Sequence, residues 1–580
     1  MRYLKKVRNK KRIEDIKNEF FVFDVETTKL EPIEKNFVFG VIYGHKFKKV
    51  IYSVENFKKE FNHIRYKGKI IFAHNAEFDL LTIFGNIYDC LDNKAIFNGK
   101  FISAKLNKTT FADSLNIFPF SLKKIGETIG IKKFENEKIS GEKLTTKNIT
   151  SEDIRYCTRD CKIIFTALLG IFESIGVIKI TLASLSMYHF RNQFLTENIT
   201  FSELTDEFYE SYYGGRTEVF KLGKCKAKCY DINQLYSHIM SYLKFPDIRV
   251  LKKETKVDVK YLMYCLKYYE GLAKIKVKHR ELYFGFLPYR TDKLLFPVGI
   301  YTTIINFNEI RFALKHEAIE ILKCEYIVYA PSMETPFKEF IKYHYDNRLL
   351  AISEKDDLKN FIHKYIPHSL YGRWAMRMKY ETTYYNMIPY EIIEELEKTE
   401  KFHILKTFSE VREDCFLITE NEKFINSFFA VPTFSSYITS EARIILLKGL
   451  LDNEKNGILY CDTDSIFIEQ SFTGKISNLL GDWKLEEKNI IEVRGLKNYV
   501  YINEKNEMVE AIKGVSKNAK KINKNVYESK QYFKTKESLR RNVDAGTEKI
   551  VRKKISGKYD KRIVIKNGET KPIKLSLSDM

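Results

Sequence analysis

Apolar runs along this chain repeatedly break at acidic residues. Ile458-Leu459 and Ile466-Phe467-Ile468 flank Tyr460-Cys461-Asp462-Thr463-Asp464-Ser465, a pattern that predicts two strands joined by a tight acidic turn. Phe20 to Phe23 leads into Asp24-Val25-Glu26-Thr27-Thr28, a buried strand with Asp24 and Glu26 on one face, because strand side chains repeat every two residues. Ile71-Phe72-Ala73 runs through His74-Asn75 into Ala76-Glu77-Phe78-Asp79, a strand, a polar turn and then Asp79. Lys228-Cys229-Tyr230 ends in Asp231 and bends into a helical stretch carrying Tyr236. Longer periods predict two helices. One starts near Ser151, with Tyr156 and Asp160 on one face at i,i+4 spacing. The other spans Asp357 to Trp374, where Leu358, Phe361, Ile362, Tyr365, Leu370 and Trp374 form a broken apolar stripe. Pro367 inside it removes a backbone donor, at roughly 3 kcal/mol unless the helix is already bent. A kink is therefore expected, tilting the Lys364 half against the Tyr371 half.

A chain of 580 residues is too long for one core and divides into several domains. Lys plus Arg total 98 against 76 Asp plus Glu, a formal +22. That excess suits a polyanionic partner, although a lysine-rich composition without purpose is the ordinary alternative. The 37 Tyr and 43 Phe suit base stacking beside cations, though most must be core. Met1 to Asn18 is basic but lacks the apolar centre of a signal peptide. No apolar run approaches a membrane span. The nine cysteines are scattered, without paired zinc spacing, so reduced thiols in a cytoplasm are expected.

Two carboxylates two residues apart on a buried strand-turn-strand repel each other unless a cation lies between them. A pair of divalent ions roughly 4 Å apart relieves that cost, and such a pair is the apparatus of phosphoryl and nucleotidyl transfer. Each piece alone has an ordinary alternative: a solvated Asp-Thr-Asp turn, an exposed edge strand, a solvated helix. Their order along the chain is what points to chemistry.

Asp24, Glu26, Asp79, Tyr156 and Asp160, with a strand first and a helix last, resemble the proofreading 3′–5′ exonuclease domain of DnaQ-like type. The resemblance implies that Asp24, Glu26, Asp79 and Asp160 ligate two ions and that Tyr156 orients the attacking water or the scissile phosphate. It also implies that Thr27, Asn75 and Phe78 hold the single-stranded primer end, with Ser114 and Leu115 as a further strand contact. Asp231-x-x-x-Leu235-Tyr236, followed far downstream by Tyr460-x-Asp462-Thr463-Asp464-Ser465, resembles the motif A and motif C pairing of family B DNA polymerases. Asp231 and Asp464 would bridge two ions with the Ile232 carbonyl as a further ligand. Asp462 would stand close without being a principal ligand. Tyr236 would be the steric gate against a 2′-OH.

Lys364-x-x-x-His368-Ser369-x-Tyr371-Gly372 resembles the family's Lys-x-x-x-Asn-Ser-x-Tyr-Gly. Lys364 would neutralise the triphosphate, Tyr371 would stack on the nascent base pair, and Gly372 completes the pocket. His368 stands where the family has Asn, which brings an expected pH sensitivity near neutrality. Tyr212-Tyr213-Gly214-Gly215 resembles the linker that meets template phosphates, its glycines allowing close approach. Thr439-x-x-Ala442-Arg443 resembles a primer-template contact, and Lys497-Asn498-Tyr499 the segment holding the primer terminus. The cofactor implied is Mg2+ or Mn2+, two ions per active site.

More than a hundred residues separate Asp231 from Lys364, too many for a structureless loop, and a second surplus separates Trp374 from Tyr437. With the compact length, these spacings resemble the protein-primed branch of small tailed phages and linear plasmids. The expected fold is α/β and α+β, multidomain. A ribonuclease H-like exonuclease over 1–200 precedes a right-hand polymerase over 201–580. Its palm covers about 201–245 and 428–525, a first terminal-protein-region insertion 246–340, fingers 341–376, a second insertion 377–427, and a basic thumb 526–580. The first insertion would meet the priming protein. The second would ring the DNA and support strand displacement, although its acidic Glu391 to Glu397 stretch reads as a solvated helix. The partners implied are DNA template and primer, deoxynucleoside triphosphates and a terminal protein primer, acting on a monomer in the host-cell cytoplasm. A family B polymerase using an ordinary primer or none, and more remotely an inactive nucleic-acid-binding protein, are the alternatives.

Overall fold

The computed structural model describes residues 2–7, 13–97, 99–135, 143–380, 383–384, 409–412, 415–419, 423–516, 518–523, 525–541, 543–555, 557 and 559–576. The Glu391 to Glu397 stretch and most of the second expected insertion lie outside the described residues.

The first layer is a seven-stranded sheet ordered Phe47–Ile51, Phe37–Gly44, Phe20–Thr27, Ile70–Ala73, Thr109–Asp113, Lys100–Leu106, Asp92–Phe97. Its central Phe20–Thr27 strand is antiparallel to Phe37–Gly44 and parallel to Ile70–Ala73. Strand parity fixes which face does what. Phe21 and Phe23 enter one core with Phe57, Phe61 and Phe111. Phe20 and Val22 enter another beneath the helix Ser151–Ile175, where Phe20 stacks on Phe165 at 4.7 Å. Asp24 and Glu26 continue the Phe20 and Val22 face, so they meet that helix at the strand's end. The helix starts at Ser151, as expected, with Thr150 as its N-cap, and the side chains of Thr150 and Asp153 cap each other's backbone amides.

The second seven-stranded sheet is antiparallel, ordered Thr217–Val219, Ile458–Asp462, Ser465–Ile468, Gly223–Ile232, Trp483–Gly495, Asn498–Ile502, Met508–Ile512. The acidic hairpin therefore lies beside the strand that ends at Ile232. The helices Leu235–Tyr242, Lys338–Ser353, Asp357–Trp374 and Pro432–Asp452 gather near this sheet, with Phe434 edge to face against both Phe337 and Trp374. The Asp357–Trp374 helix has the predicted bounds, is capped by Asp356, and runs unbroken through Pro367.

Within the first surplus, Lys252–Thr255, Ile319–Ala330, Glu270–His279 and Val298–Asn306 form one sheet, whose far edge takes Lys574–Leu575 in parallel. Lys520–Asn523, Val526–Tyr532 and Glu548–Lys554 form a three-stranded sheet. The chain after Tyr559 leaves that sheet and returns to the strand Thr217–Val219, where the Val219 amide donates to the Tyr559 hydroxyl at 3.0 Å.

Candidate active sites

The first acidic cluster gathers the residues singled out from sequence. Glu26, Asp79 and Asp160 are buried and Asp24 half-buried. The Asp79 carboxylate accepts from the Val25 amide at 3.2 Å, tying the helix Ala76–Phe84 to the strand. Burial, then the Asp160 charge, pushes Asp24 up to about 7. Burial and the surrounding carboxylates raise Glu26 and Asp79 as well. One oxygen of Asp160 is buried with no hydrogen-bond partner. An orphaned carboxylate oxygen among carboxyls reluctant to ionise fits a site for divalent cations.

Two further side chains belong to this cluster. Lys133 sets its Nζ 2.5 Å from Asp160 and 5.0 Å from the centre of the Tyr156 ring. Burial lowers the Lys133 pKa, but Asp160 outweighs it and holds the amine charged. The Cys157 thiol lies 3.4 Å from an Asp24 carboxylate oxygen. Nothing local marked Lys133, one cation beside Lys132 in an irregular segment. Cys157 carries no mark in the sequence beyond standing one residue after Tyr156.

The single-strand contacts implied by the resemblance divide. Asn75, in left-handed conformation at φ 70, donates its amide to Asp113 at 3.0 Å and stands half-buried with Phe78. Tyr532 meets Phe78 edge to face at 5.9 Å, and the buried Glu77 accepts from the Thr535 amide and hydroxyl. The 526–541 segment thus sits over this edge of the cluster. Thr27 is half-buried with its hydroxyl on the Lys29 carbonyl, and Leu115 is half-buried. Ser114 corrects the expectation. It is fully buried, 2.9 Å from His74 Nδ1, and orients that ring rather than facing a strand.

The second cluster lies where Gly223–Ile232 meets the hairpin. The Ile232 amide donates to the Asp464 carbonyl at 2.8 Å, bringing Asp231 beside Asp464. Burial raises Asp231 to about 7, with Asp464 and Glu486 adding to the shift, and burial raises Asp464 to about 6. Asp462 is held by protein: its oxygens meet Lys497 Nζ at 2.9 Å, Thr217 at 3.3 Å, Thr463 at 3.1 Å and the Tyr460 hydroxyl at 3.2 Å. That saturation fits a carboxylate beside the ions rather than on them. Lys497 reaches the turn from a left-handed position at φ 50, and Tyr499 packs on Phe467 at 5.0 Å.

Tyr236 is nearly buried, its ring centre 4.1 Å from that of Tyr371 and 6.1 Å from that of His368. Lys364 is half-buried. Burial, then Arg348 and Lys484, lowers its pKa, so three cations converge. Asp231 and Glu486 oppose that push, and Lys484 is itself paired with Glu486 at 2.7 Å, so Lys364 is the cation of this group that best fits a polyphosphate. No motif joins Arg348, on the helix Lys338–Ser353, to Lys484 and Glu486, on the strand Trp483–Gly495, so the sequence does not mark them. His368 is exposed on a recessed wall, and surrounding protein and Lys364 push its pKa below the ordinary value. The expected pH sensitivity is therefore displaced to acid, away from neutrality. Gly372 is exposed with open space around it.

Three expected DNA contacts are corrected by burial or packing. Thr439 is buried, with its hydroxyl donating to Ser435 and Ser436 carbonyls inside its own helix. Arg443 is buried in a two-pronged ion pair with Glu309, both contacts at 2.8 Å, and donates to the Tyr213 and Gly214 carbonyls. It shapes the Tyr212 to Gly215 loop from behind. Gly215 is required by protein, since a Cβ there would come 2.5 Å from the Thr463 hydroxyl. Gly214 is exposed, and Tyr212 is half-buried with its carbonyl accepting from Arg290.

The raised carboxyls have a measurable consequence. For an acid whose pKa rises on folding, the unfolded chain ionises first, so stability falls as pH climbs from about 4 to about 7 and then levels off. Asp24→Asn is therefore expected to stabilise the cation-free protein at pH 8 by on the order of 1–2 kcal/mol, with no gain at pH 4. Thermal melting in chelator checks this; equal melting temperatures at pH 8 would show that the cluster carries no charge strain.

Residues 128–445 match the family described as DNA polymerase type B, organellar and viral. A protein of Podospora anserina described as a probable DNA polymerase is 25% identical over 571 residues, covering 82% of this chain and 46% of that protein. Another probable DNA polymerase, from Neurospora intermedia, is 27% identical over 344 residues, covering 56% and 34%. The chain spans less than half the length of these relatives. Among solved structures, Phi29 DNA polymerase complexed with primer-template DNA and incoming nucleotide superposes with a TM-score of 0.66 at 17% identity, over 93% of this chain and 99% of that one. The orthorhombic crystal form of Phi29 DNA polymerase gives 0.65 at 17% identity, over 86% and 92%. The chain shares that fold, so the mixed α/β multidomain architecture expected from sequence is the one observed. Among the described residues no helix is long and apolar enough to cross a membrane.

Proposed function

The chain belongs to the organellar and viral type B DNA polymerases, and from that membership we propose that it is a DNA-directed DNA polymerase with a 3′–5′ proofreading exonuclease. The observation that carries the reading is the pair of carboxylate clusters, each seated on its own sheet and each raised in pKa by burial. Asp231 and Asp464 would hold two Mg2+ or Mn2+ ions, with the Ile232 carbonyl as a further ligand. Asp24, Glu26, Asp79 and Asp160 would hold a second pair. Bound there, the ions supply Lewis acidity and a lowered pKa for the attacking oxygen.

The protein's own residues do the rest. Lys364, Arg348 and Lys484 receive the triphosphate, and Tyr371 stacks on the incoming base. Asp462 and Lys497 brace the turn beside the primer end. At the other cluster Tyr156 positions the scissile phosphate, and Lys133, paired with Asp160, opposes the upward push of burial on that carboxyl. Asn75, Phe78, Thr27 and Leu115 line the path of the frayed strand. The exonuclease would occupy about residues 1–200 and the polymerase the remainder.

The Phi29 fold and the two surpluses support priming by a terminal protein and strand displacement. Cys157, Cys161, Cys229, Cys265, Cys324 and Cys461 are buried thiols outside any disulfide, which suits a reducing compartment such as a host cytoplasm. Incubation with candidate partner proteins and labelled deoxynucleotide tests the priming. Covalent labelling of one partner supports it, and extension from ordinary primers alone assigns the chain to a branch primed by nucleic acid.

The Tyr236 ring packs against Tyr371 at the edge of the second cluster, tilted by 38°. Tyr236→Val is expected to raise ribonucleotide incorporation relative to deoxynucleotide by about 10- to 100-fold, the range for a steric contact worth 1–3 kcal/mol. Single-nucleotide insertion with each sugar measures it. An unchanged ratio removes Tyr236 from the gate.

A further inference from the structure

Behind the acidic hairpin lies a buried ionic triad drawn from distant parts of the chain. Arg216 sends its Nε to Glu218 at 2.6 Å and another guanidinium nitrogen to the Gly285 carbonyl at 2.8 Å. The second oxygen of Glu218 takes Arg562 at 3.1 Å. Arg562 also donates to the Thr570 hydroxyl at 2.9 Å and the Tyr283 carbonyl at 2.9 Å. All three side chains are essentially inaccessible. Burial raises the Glu218 pKa, but the two guanidiniums outweigh it and keep the carboxylate ionised.

The triad connects directly to the turn. Thr463, between the two aspartates, sits in left-handed conformation at φ 62, a strained setting for a residue with a branched Cβ. Its amide donates to the Arg216 carbonyl at 2.7 Å, and Thr217 pairs with Asp462 across the edge strand. Arg562 arrives on the returning C-terminal segment. That segment is sewn to the same strand through the Tyr559 hydroxyl, through Thr570, whose hydroxyl donates to Val219 at 2.8 Å, and through Gly568, whose carbonyl accepts from Leu222 at 2.7 Å. Buried charges of this kind add little stability over an apolar core of equal volume. What they add here is a fixed position for the Arg216 backbone, and hence for the Thr463 turn.

We propose that Arg562, acting through Glu218 and Arg216, is a positioning residue for nucleotide addition. The C-terminal segment thereby holds Asp464 in the geometry that binds the cations. The proposal rests on the reading of Asp231 and Asp464 as cation ligands. Neither arginine touches the nucleotide or the reacting atoms.

The test uses the full chain carrying Asp24→Ala and Glu26→Ala, bound to primer-template with a dideoxy end, so that Mn2+ binding by electron paramagnetic resonance reports the second cluster alone. Arg562→Gln is expected to weaken that binding, and to raise the Mg2+ needed for half-maximal extension, by about 10-fold, the scale for residues that orient metal ligands. Arg562→Lys restores most of it. In the chain with its first cluster intact, shortening of single strands is unchanged by Arg562→Gln. Tyr559→Phe, which removes only the acceptor for the Val219 amide, gives a smaller shift in the same direction and serves if Arg562→Gln does not fold. A lowered melting temperature with unchanged Mn2+ binding and unchanged Mg2+ midpoint overturns the proposal. Asp464→Asn separates the two levels of the argument. If it too leaves Mn2+ binding unchanged, the cation-site reading itself fails.

Discussion

Asp464→Asn is expected to depress templated nucleotide addition by about 10³-fold while the chain continues to shorten single strands, because cation stabilisation of a transferring phosphoryl group is worth several kcal/mol and each 1.4 kcal/mol is tenfold. Asp464 is the carboxylate of the turn that protein groups leave available. Asp462, two residues earlier, is occupied by Lys497, Thr217, Thr463 and Tyr460. Removing the Asp464 charge also relieves Asp231, whose pKa it helps to raise, so the variant keeps its fold. Asp462→Asn should cost less, about 10- to 100-fold, through a displaced Lys497 rather than a lost ligand. Primer extension under single-turnover conditions measures both. A milder loss for Asp464→Asn than for Asp462→Asn would reverse the two roles.

The companion change, Asp24→Ala with Glu26→Ala, is expected to reduce 3′–5′ degradation by at least about 10³-fold and leave extension within about twofold. The two side chains project from the end of one strand toward Asp160 and Tyr156, on a different sheet from Asp231 and Asp464. Loss of their charges leaves Lys133 paired with Asp160, so the helix Ser151–Ile175 keeps its anchor. Degradation of a labelled single strand and extension of a matched primer are the two readouts. Loss of both activities in a folded variant would show one shared centre.

How much of this was legible beforehand depends on the range of the interaction. Strand parity put Asp24 and Glu26 on one face, and the flanking apolar runs put Asp462 and Asp464 at a tight turn between two strands. The apolar stripe gave the Asp357–Trp374 helix its bounds. Pro367 did not break that helix. What stayed hidden was every partner supplied from far along the chain. Arg443 looked like a DNA contact because its neighbours fit a motif, but Glu309, 134 residues earlier, buries its guanidinium. Ser114 is taken by His74, from the turn that follows Ile70–Ala73. Lys133 carries no local mark, although its amine pairs with Asp160 at 2.5 Å. Gly215 was read as making room for phosphate, and it makes room for Thr463.

One reaction tests the central claim most directly: a 5′-labelled primer-template incubated with the full chain and Mg2+, with deoxynucleotides raised from zero. Without nucleotide the primer should shorten, and with rising nucleotide it should lengthen to the end of the template. Asp24→Ala with Glu26→Ala should only lengthen it, and Asp464→Asn should only shorten it. A wild-type chain that binds the primer-template yet neither shortens nor extends it would contradict the account.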